Sequence, residues 1–267
     1  MKFAGIIAEY DPFHNGHAWQ LAQAKALGAE RVAVAMSCSL VQRGALPLLP
    51  EAVRTRSALT CGADLVFALP APCACAGAEA FARAGVALLA AAGCDGLVFG
   101  AETPDAALLM EAAELLDSGS YRAALKAQLA GGARSFAAAR QAAAAQLASD
   151  ERVAALLDKP NNNLAVEYCR AIRSLAPRME AYPLPRQGAN HGEALHSAHG
   201  QFASASALRK LWAEGGADAV APYVPEAVFP LYQEAYAAGQ YTDFSAAGRC
   251  ELALLRSACR GKAPFAD

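Results

Sequence analysis

The sequence contains no CxxC pair, no apolar run long enough to cross a bilayer, no repeat of fixed period and almost no net charge. Each absence excludes something. Without CxxC spacing, the eight cysteines (Cys38, Cys61, Cys73, Cys75, Cys94, Cys169, Cys250 and Cys259) offer neither a thioredoxin-type dithiol nor a zinc ribbon. Several sit in apolar surroundings where a thiol behaves as a small hydrophobe, so reduced thiols in a cytoplasmic protein are expected. The opening MKFAGIIAEY carries a single lysine and a short apolar run closed by Glu9, which is not the pattern of a secretory signal. The alanine-rich run from Ala82 to Gly93 is interrupted by Arg83 and Gly85, so no membrane span is expected either. A formal net charge of −2 and a pI near 6.2 create no global positive field, and any RNA partner would have to be met by a local basic patch.

What is present is a chain of 267 residues, 55% hydrophobic and 18% charged, rich enough in alanine to suggest a compact, helix-rich globule with one main core. Short apolar runs at 3–9, 31–36, 64–69, 96–99 and 179–183 alternate with helical patterns at 17–27, 51–61, 76–92 and 163–175. That alternation predicts an α/β fold, a Rossmann-like doubly wound and mainly parallel sheet. Residues 104–158 are helical in pattern throughout, broken at Ser118-Gly119-Ser120 and Gly131-Gly132, and read as a helical insertion. A Gly- and Pro-containing loop spans 184–203, and the helical pattern resumes at Ser204. The expected organisation is a catalytic domain at 1–212 and a C-terminal helical extension at 213–267, which ends just after a helix either naturally or by truncation.

The segment from Gly5 to His17, GIIAEYDPFHNGH, joins an apolar strand to a helix start through a proline-containing loop. A helix N-terminus offers unpaired N–H groups and a positive dipole end to an anion, and His14 and His17 can add donors on the same side. Gly16 between them lets a phosphate approach the backbone. The plainer reading is that His14 and His17 only cap the helix or face solvent. A zinc site would need His191, His196 or His199 as further ligands, and HxxH lacks the i, i+4 spacing and intervening glutamate of a helical metalloprotease pair. Later, Ala203-Ser-Ala-Ser-Ala-Leu-Arg-Lys210 opens another helix. Ser204 or Ser206 would cap it, and the same helix start with Arg209 one turn on could close over β- and γ-phosphates.

The loop His14-Asn-Gly-His17, taken with the late Ser-Ala-Ser-x-Leu-Arg, resembles the nucleotidyltransferase superfamily of adenylyltransferases and class I aminoacyl-tRNA synthetases. The fuller set resembles the bacterial tRNA(Met) cytidine acetate ligase family within it. That set comprises Glu9 to His17, Met36-Ser37, Val41-Gln-Arg-Gly44, Arg54-Thr55, Gly62 to Val66, Leu69-Pro70, Phe99-Gly100, Glu102, Lys159-Pro-Asn-Asn162 and Arg186. The resemblance implies a HIGH-type enzyme that uses ATP, with Mg2+, to form acetyl-adenylate from acetate and then acetylates N4 of the wobble cytidine of elongator tRNA(Met). It implies that His14, His17 and Arg209 are catalytic. The nucleotide pocket would be formed by Ile7, Ala8, Glu9, Tyr10, Phe13, His14, Gly16, His17, Gln20, Gly100, Asn161, Asn162, Arg186, Gln187, Ser204 and Ser206. Gly100 could equally be a strand-end turn, and Asn161 and Asn162 could cap the helix expected near Asn163.

Several positions depart from the family pattern. Asp11 stands where the family has Asn, and its charge would lie beside the phosphates unless a metal or an arginine offsets it. Cys38-Ser39, Ala45-Leu46, Pro50-Glu51 and Ala68 also differ, in segments expected to line the acyl or tRNA side. They keep open a divergent adenylyl- or cytidylyltransferase acting on another small substrate, and a non-catalytic nucleotide-binding protein. In the insertion, Arg122, Lys126, Arg134 and Arg140 read as a solvated helix face or as RNA contacts.

Overall fold

The computed structural model describes residues 1–42, 44–186, 195–197 and 200–258. Runs of Val, Ile, Ala and Phe with few charges cannot leave either face in water, so they form strands covered on both sides. These are β1 (Phe3–Ala8), β2 (Arg31–Ser37), β3 (Leu65–Leu69), β4 (Gly96–Ala101) and β5 (Glu180–Pro185). All pair in parallel, in the order β3-β2-β1-β4-β5, with Phe3 opposite Arg31 and Gly96 opposite Glu180. The order runs outward from β1 in both directions, so the fold is doubly wound and its switch point lies between β1 and β4.

Helices α1 (Asn15–Ala26) and α2 (Glu51–Thr60) cover one face. The other is covered by α4 (Ala78–Ala91), α5 (Ala106–Asp117) and α9 (Pro160–Leu175), a short α3 (Ala71–Ala74) having preceded α4. Helix α4 lies close on β1 because it has Gly85 there: a Cβ would fall 2.5 Å from Ile7 Cδ1. The expected helical insertion is α5 followed by α6 (Gly119–Ala130), α7 (Phe136–Leu147) and α8 (Glu151–Leu156). Each of the four starts at a local side-chain cap, from Asp105, Ser118, Ser135 and Asp150. Arg140 of α7 pairs at 2.8 Å with the buried Glu167 of α9, which Arg170 also holds at 2.6 Å, so Arg140 is committed to docking the insertion.

Two expectations about boundaries change. The loop at 184–203 contains a small hairpin, β6 (Leu195–Ser197) antiparallel to β7 (Gly200–Phe202), whose three-residue strands are too short to show a periodicity. Helix α9 starts at Pro160 rather than Asn163, because proline at the first helical position loses no bond it could have made.

Helix α10 (Ala205–Val220) runs through residue 212 and is kinked at Gly216; a 3-10 turn at Ala221–Tyr223, α11 (Phe229–Ala237) and α12 (Phe244–Ala258) follow. Trp212, Val220, Val228 and Tyr232 share the core of β1, β2, α1 and α2. Among the described residues, no helix is long and apolar enough to cross a membrane.

The ends of β1 and β2 meet α2 around one fully buried side chain, Arg54. Its guanidinium donates to Leu49 O at 3.0 Å, to Glu9 O and Ser37 O at 2.7 Å each, and to Cys38 O. Glu9 and Cys38 lie just past the ends of β1 and β2, Ser37 is the last residue of β2 and Leu49 lies just before α2, where regular backbone pairing runs out. Replacing Arg54 with Met would strand the acceptors in the core. The expected loss is roughly 3–5 kcal/mol of unfolding free energy in urea denaturation, larger than for a core Leu→Met exchange.

Candidate functional site

The segment that leaves β1 turns sharply into α1 at the sheet's switch point. Tyr10 makes the turn with φ of +50°, a left-handed conformation that costs a bulky residue on the order of 1 kcal/mol or more. Packing holds it there. The Tyr10 ring is buried and meets Phe13 and His17 edge-on, with centroids 4.9 and 4.8 Å away. The C-terminal helices clamp the same turn. Arg209 donates to Asp11 O at 2.7 Å and Asp11 Oδ2 at 3.1 Å, the Tyr232 hydroxyl donates to Phe13 O at 2.6 Å, and Asn15 Nδ2 donates to Pro222 O at 3.3 Å.

His14 is the N-cap of α1, and the two imidazoles form a reciprocal capping box in the places usually taken by a hydroxyl and a carboxylate. Gly16 N donates to His14 Nδ1 at 3.0 Å and His14 N donates to His17 Nδ1 at 3.3 Å. The rings stack with centroids 3.7 Å apart. Burial, then the nearby Arg186 charge, pushes the His14 pKa down to about 4. Burial, His14 and Arg186 likewise hold His17 well below the ordinary histidine value. Both rings are therefore neutral near pH 7. Since each Nδ1 accepts an N–H, each proton must sit on Nε2, leaving two Nε2–H donors on rings that line a cavity. The need for glycine at 16 also comes from this stack: a Cβ there would lie 2.9 Å from His14 Cε1.

The cavity, about 350 Å3, lies at the carboxyl ends of β1, β4 and β5, beside the switch point where open α/β sheets hold ligands. Of the residues singled out from the sequence, Ile7, Ala8, Glu9, Tyr10, His14, Gly16, His17, Gln20, Gly100, Asn161 and Arg186 line it together. Others do not reach it. Phe13 is buried behind His17, and Asn162 is buried while its Oδ1 accepts from Thr103 N at 2.9 Å. Ser204 caps α10 by accepting from Ala207 N at 3.2 Å and lies 3.1 Å from the Ser206 hydroxyl, while Ala205 between them lines the cavity. Arg209 is engaged by Asp11. Gln187 lies outside the described residues.

Sequence reasoning missed an apolar wall of Phe81, Phe99, Leu164, Tyr168 and Leu184, together with Trp19 and Gln42. Gln42 and Phe99 had a usable signal, their places in Val41-Gln-Arg-Gly44 and Phe99-Gly100; Gln42 N donates to Glu9 Oε1 at 2.5 Å, and Arg43 lies outside the described residues. Phe81, Leu164 and Tyr168 sit on α4 and α9, whose rotation about their own axes is decided by packing, while Phe99 and Leu184 sit near the ends of β4 and β5. At the start of α9, neither Asn161 nor Asn162 is the N-cap. The cap position is Lys159, which makes no side-chain bond, and the Glu102 carboxylate accepts from the amides of Asn161 and Asn162 instead, at 3.2 and 2.7 Å.

The departures at Cys38, Ser39, Glu51 and Ala68 all lie off this cavity. Asp11 does line it, and Arg209 supplies the offsetting charge. Burial raises the Asp11 pKa above the usual carboxylate value, against the lowering by the Leu48 amide, Arg209 and Arg54. Among the described residues no group of three or more His, Cys, Asp or Glu could hold a metal ion. His191 and His199 lie outside the described residues, and of His196 only the backbone is described.

A family model described as HIGH Nucleotidyl Transferase matches residues 1–258. The tRNA(Met) cytidine acetate ligase of Syntrophotalea carbinolica is 41% identical over 218 residues, covering 80% of this chain and 52% of that protein. The protein of the same name from Caldanaerobacter subterraneus is 35% identical over 244 residues, covering 90% and 60%. A solved structure of Thermotoga maritima TmcAL bound with alpha-thio ATP superposes with a TM-score of 0.81 at 30% identity, covering 90% of this chain and 57% of that one. Its apo form gives 0.83 at 31% identity, with 90% and 58% covered. The chain thus spans somewhat over half the length of these relatives.

In the free protein, His14 is expected to titrate at about 4, with both rings protonated on Nε2 above that value; long-range 15N–1H NMR reads both. The folded-state value lies below the unfolded one, so the ring contributes stability at neutral pH that is lost as pH falls from about 6.5 to about 4. Asp11, shifted upward, acts with the opposite sign, so the ring resonances isolate the effect where a melting temperature would not. A polyanion in the cavity should raise the His14 midpoint.

Proposed function

The chain belongs to the HIGH nucleotidyl transferase family, and from that premise we propose that it binds ATP in this cavity, activates acetate as acetyl-adenylate and passes the acetyl group to N4 of the wobble cytidine of elongator tRNA(Met). The observation that carries the reading is the pair of neutral imidazoles at the start of α1, each left with an Nε2–H donor beside the Arg186 guanidinium. Fixed donors and a fixed charge in a partly buried site suit a polyphosphate whose negative charge shifts as the reaction proceeds. The wall of Phe81, Phe99, Leu164 and Tyr168 offers an apolar surface to adenine.

A carboxylate oxygen of acetate attacks the α-phosphorus, the bond to the bridging oxygen breaks, and pyrophosphate leaves. His14 and His17 donate to the phosphate oxygens from Nε2, and Arg186 balances their charge. The cytidine N4 then attacks the acetyl carbon, a proton is lost and AMP departs. Magnesium, expected with ATP, finds no dedicated protein site among the described residues: Glu9 is engaged by Gln42 N and Asp11 by Leu48 N and Arg209, so the phosphate oxygens would have to supply most of its ligands. No step here depends on it. The matched region covers 52% and 60% of the two relatives' own lengths, so the tRNA and acetate steps rest on their names, and a cytoplasmic location follows from the use of ATP and tRNA.

Calorimetric titration with ATP, CTP and AMP tests the nucleotide reading. ATP should bind with preference over CTP, and His17→Ala and Arg186→Ala should each weaken it about tenfold. Acetate-dependent exchange of pyrophosphate into ATP tests activation, and acetylated cytidine in tRNA(Met) tests transfer. Preference for CTP would favour a cytidylyltransferase; ATP binding with no exchange for any acid would leave a nucleotide-binding protein.

A further inference from the structure

We propose that Glu102 is a positioning residue for the nucleotide: acting through Asn161, it sets where Arg186 holds its guanidinium at the cavity. The proposal rests on the ATP reading above and adds to it a residue that does not itself line the cavity.

Glu102 directly follows β4, at the switch point of the sheet. Its Oε1 accepts from Asn161 N at 3.2 Å and from Asn161 Nδ2 at 2.6 Å, and its Oε2 accepts from Asn162 N at 2.7 Å. Helix α9 has no side-chain cap of its own and no acidic residue in its first turn, so this carboxylate from a different element completes the helix start. The same contact orients Asn161. A carboxylate only accepts, so the Asn161 NH2 must face Glu102 and its Oδ1 is left for the Arg186 Nη1, which only donates. One amide orientation satisfies all three groups. Thr103 and Asn162 close the junction independently, through Thr103 N to Asn162 Oδ1 at 2.9 Å and Asn162 Nδ2 to Thr103 Oγ1 at 3.1 Å. The junction between β4 and α9 therefore has a second hold when Glu102 is changed, while among the described residues the link to Arg186 has none.

The capping and positioning roles separate in a set of variants of the full chain: Glu102→Ala, Glu102→Gln, Lys159→Ser and the double Glu102→Ala/Lys159→Ser. Serine at 159 gives α9 a local cap. Melting temperature, ATP affinity by calorimetry and the His14 titration by NMR are read for each. Glu102→Ala should lower the melting temperature, weaken ATP binding about tenfold and raise the His14 midpoint, because Arg186 is no longer held beside the ring. Adding Lys159→Ser should recover the melting temperature and leave the other two defects in place. Glu102→Gln, which keeps one acceptor for Asn161 Nδ2, should recover part of the affinity. Recovery of all three readouts in the double variant overturns the proposal, as does an unchanged affinity and unchanged His14 titration in Glu102→Ala. If the unaltered protein binds no ATP, the functional reading falls, and the His14 titration of the free variants still decides whether Glu102 places Arg186.

Discussion

A single buried guanidinium sets the geometry at the top of the sheet. Arg54 gathers carbonyls from the end of β1, the end of β2 and the approach to α2, three pieces of chain that would otherwise diverge once their ladder bonds stop. A guanidinium suits this task because its donors form a planar fork and it remains charged even where burial works against the charge. With Glu9 O held, the chain enters the turn at Tyr10 from a fixed direction, and the left-handed Tyr10 backbone becomes tolerable because the buried ring has one place to go.

From that anchored turn the chemistry of the site follows in short steps. The capping box uses up both Nδ1 atoms, burial and Arg186 keep the rings uncharged, and the remaining ring protons are committed to Nε2. A pair of free imidazoles would choose tautomers and rotamers at will, whereas here the start of a helix chooses for them. Negative charge is managed on the other side of the same turn. Asp11 would oppose a polyphosphate, yet it is tied to Leu48 N and Arg209, so the charge is neutralised from the C-terminal helices.

The strands were legible because a sheet covered on both faces demands continuous apolar runs, and the helices of the insertion because each carries its cap beside it in sequence. The start of α9 lies three residues before the expected Asn163: Asn161 and Asn162 look like caps, while the group that caps the helix stands at Glu102, 59 residues from Asn161. The hairpin at β6 and β7 was invisible because three residues are too few to define a period. At the site, residues adjacent in sequence on the β1 to α1 turn could be named together, but the wall of Phe81, Leu164 and Tyr168 could not, since nothing local reveals which face of α4 or α9 meets the sheet's switch point.

By itself, the sequence determined the alternation of strand and helix, the parallel sheet that this alternation requires, and the turn that carries His14 and His17, because each is a local consequence of hydrophobic period, proline and glycine placement, and cap chemistry. Only the tertiary structure decided that Arg209 meets Asp11, that Glu102 caps a helix far along the chain, and that the imidazoles stay neutral. Those are outcomes of burial and of contacts between distant segments, and the free energy of a charge or a hydrogen bond depends on surroundings that no local stretch of sequence contains.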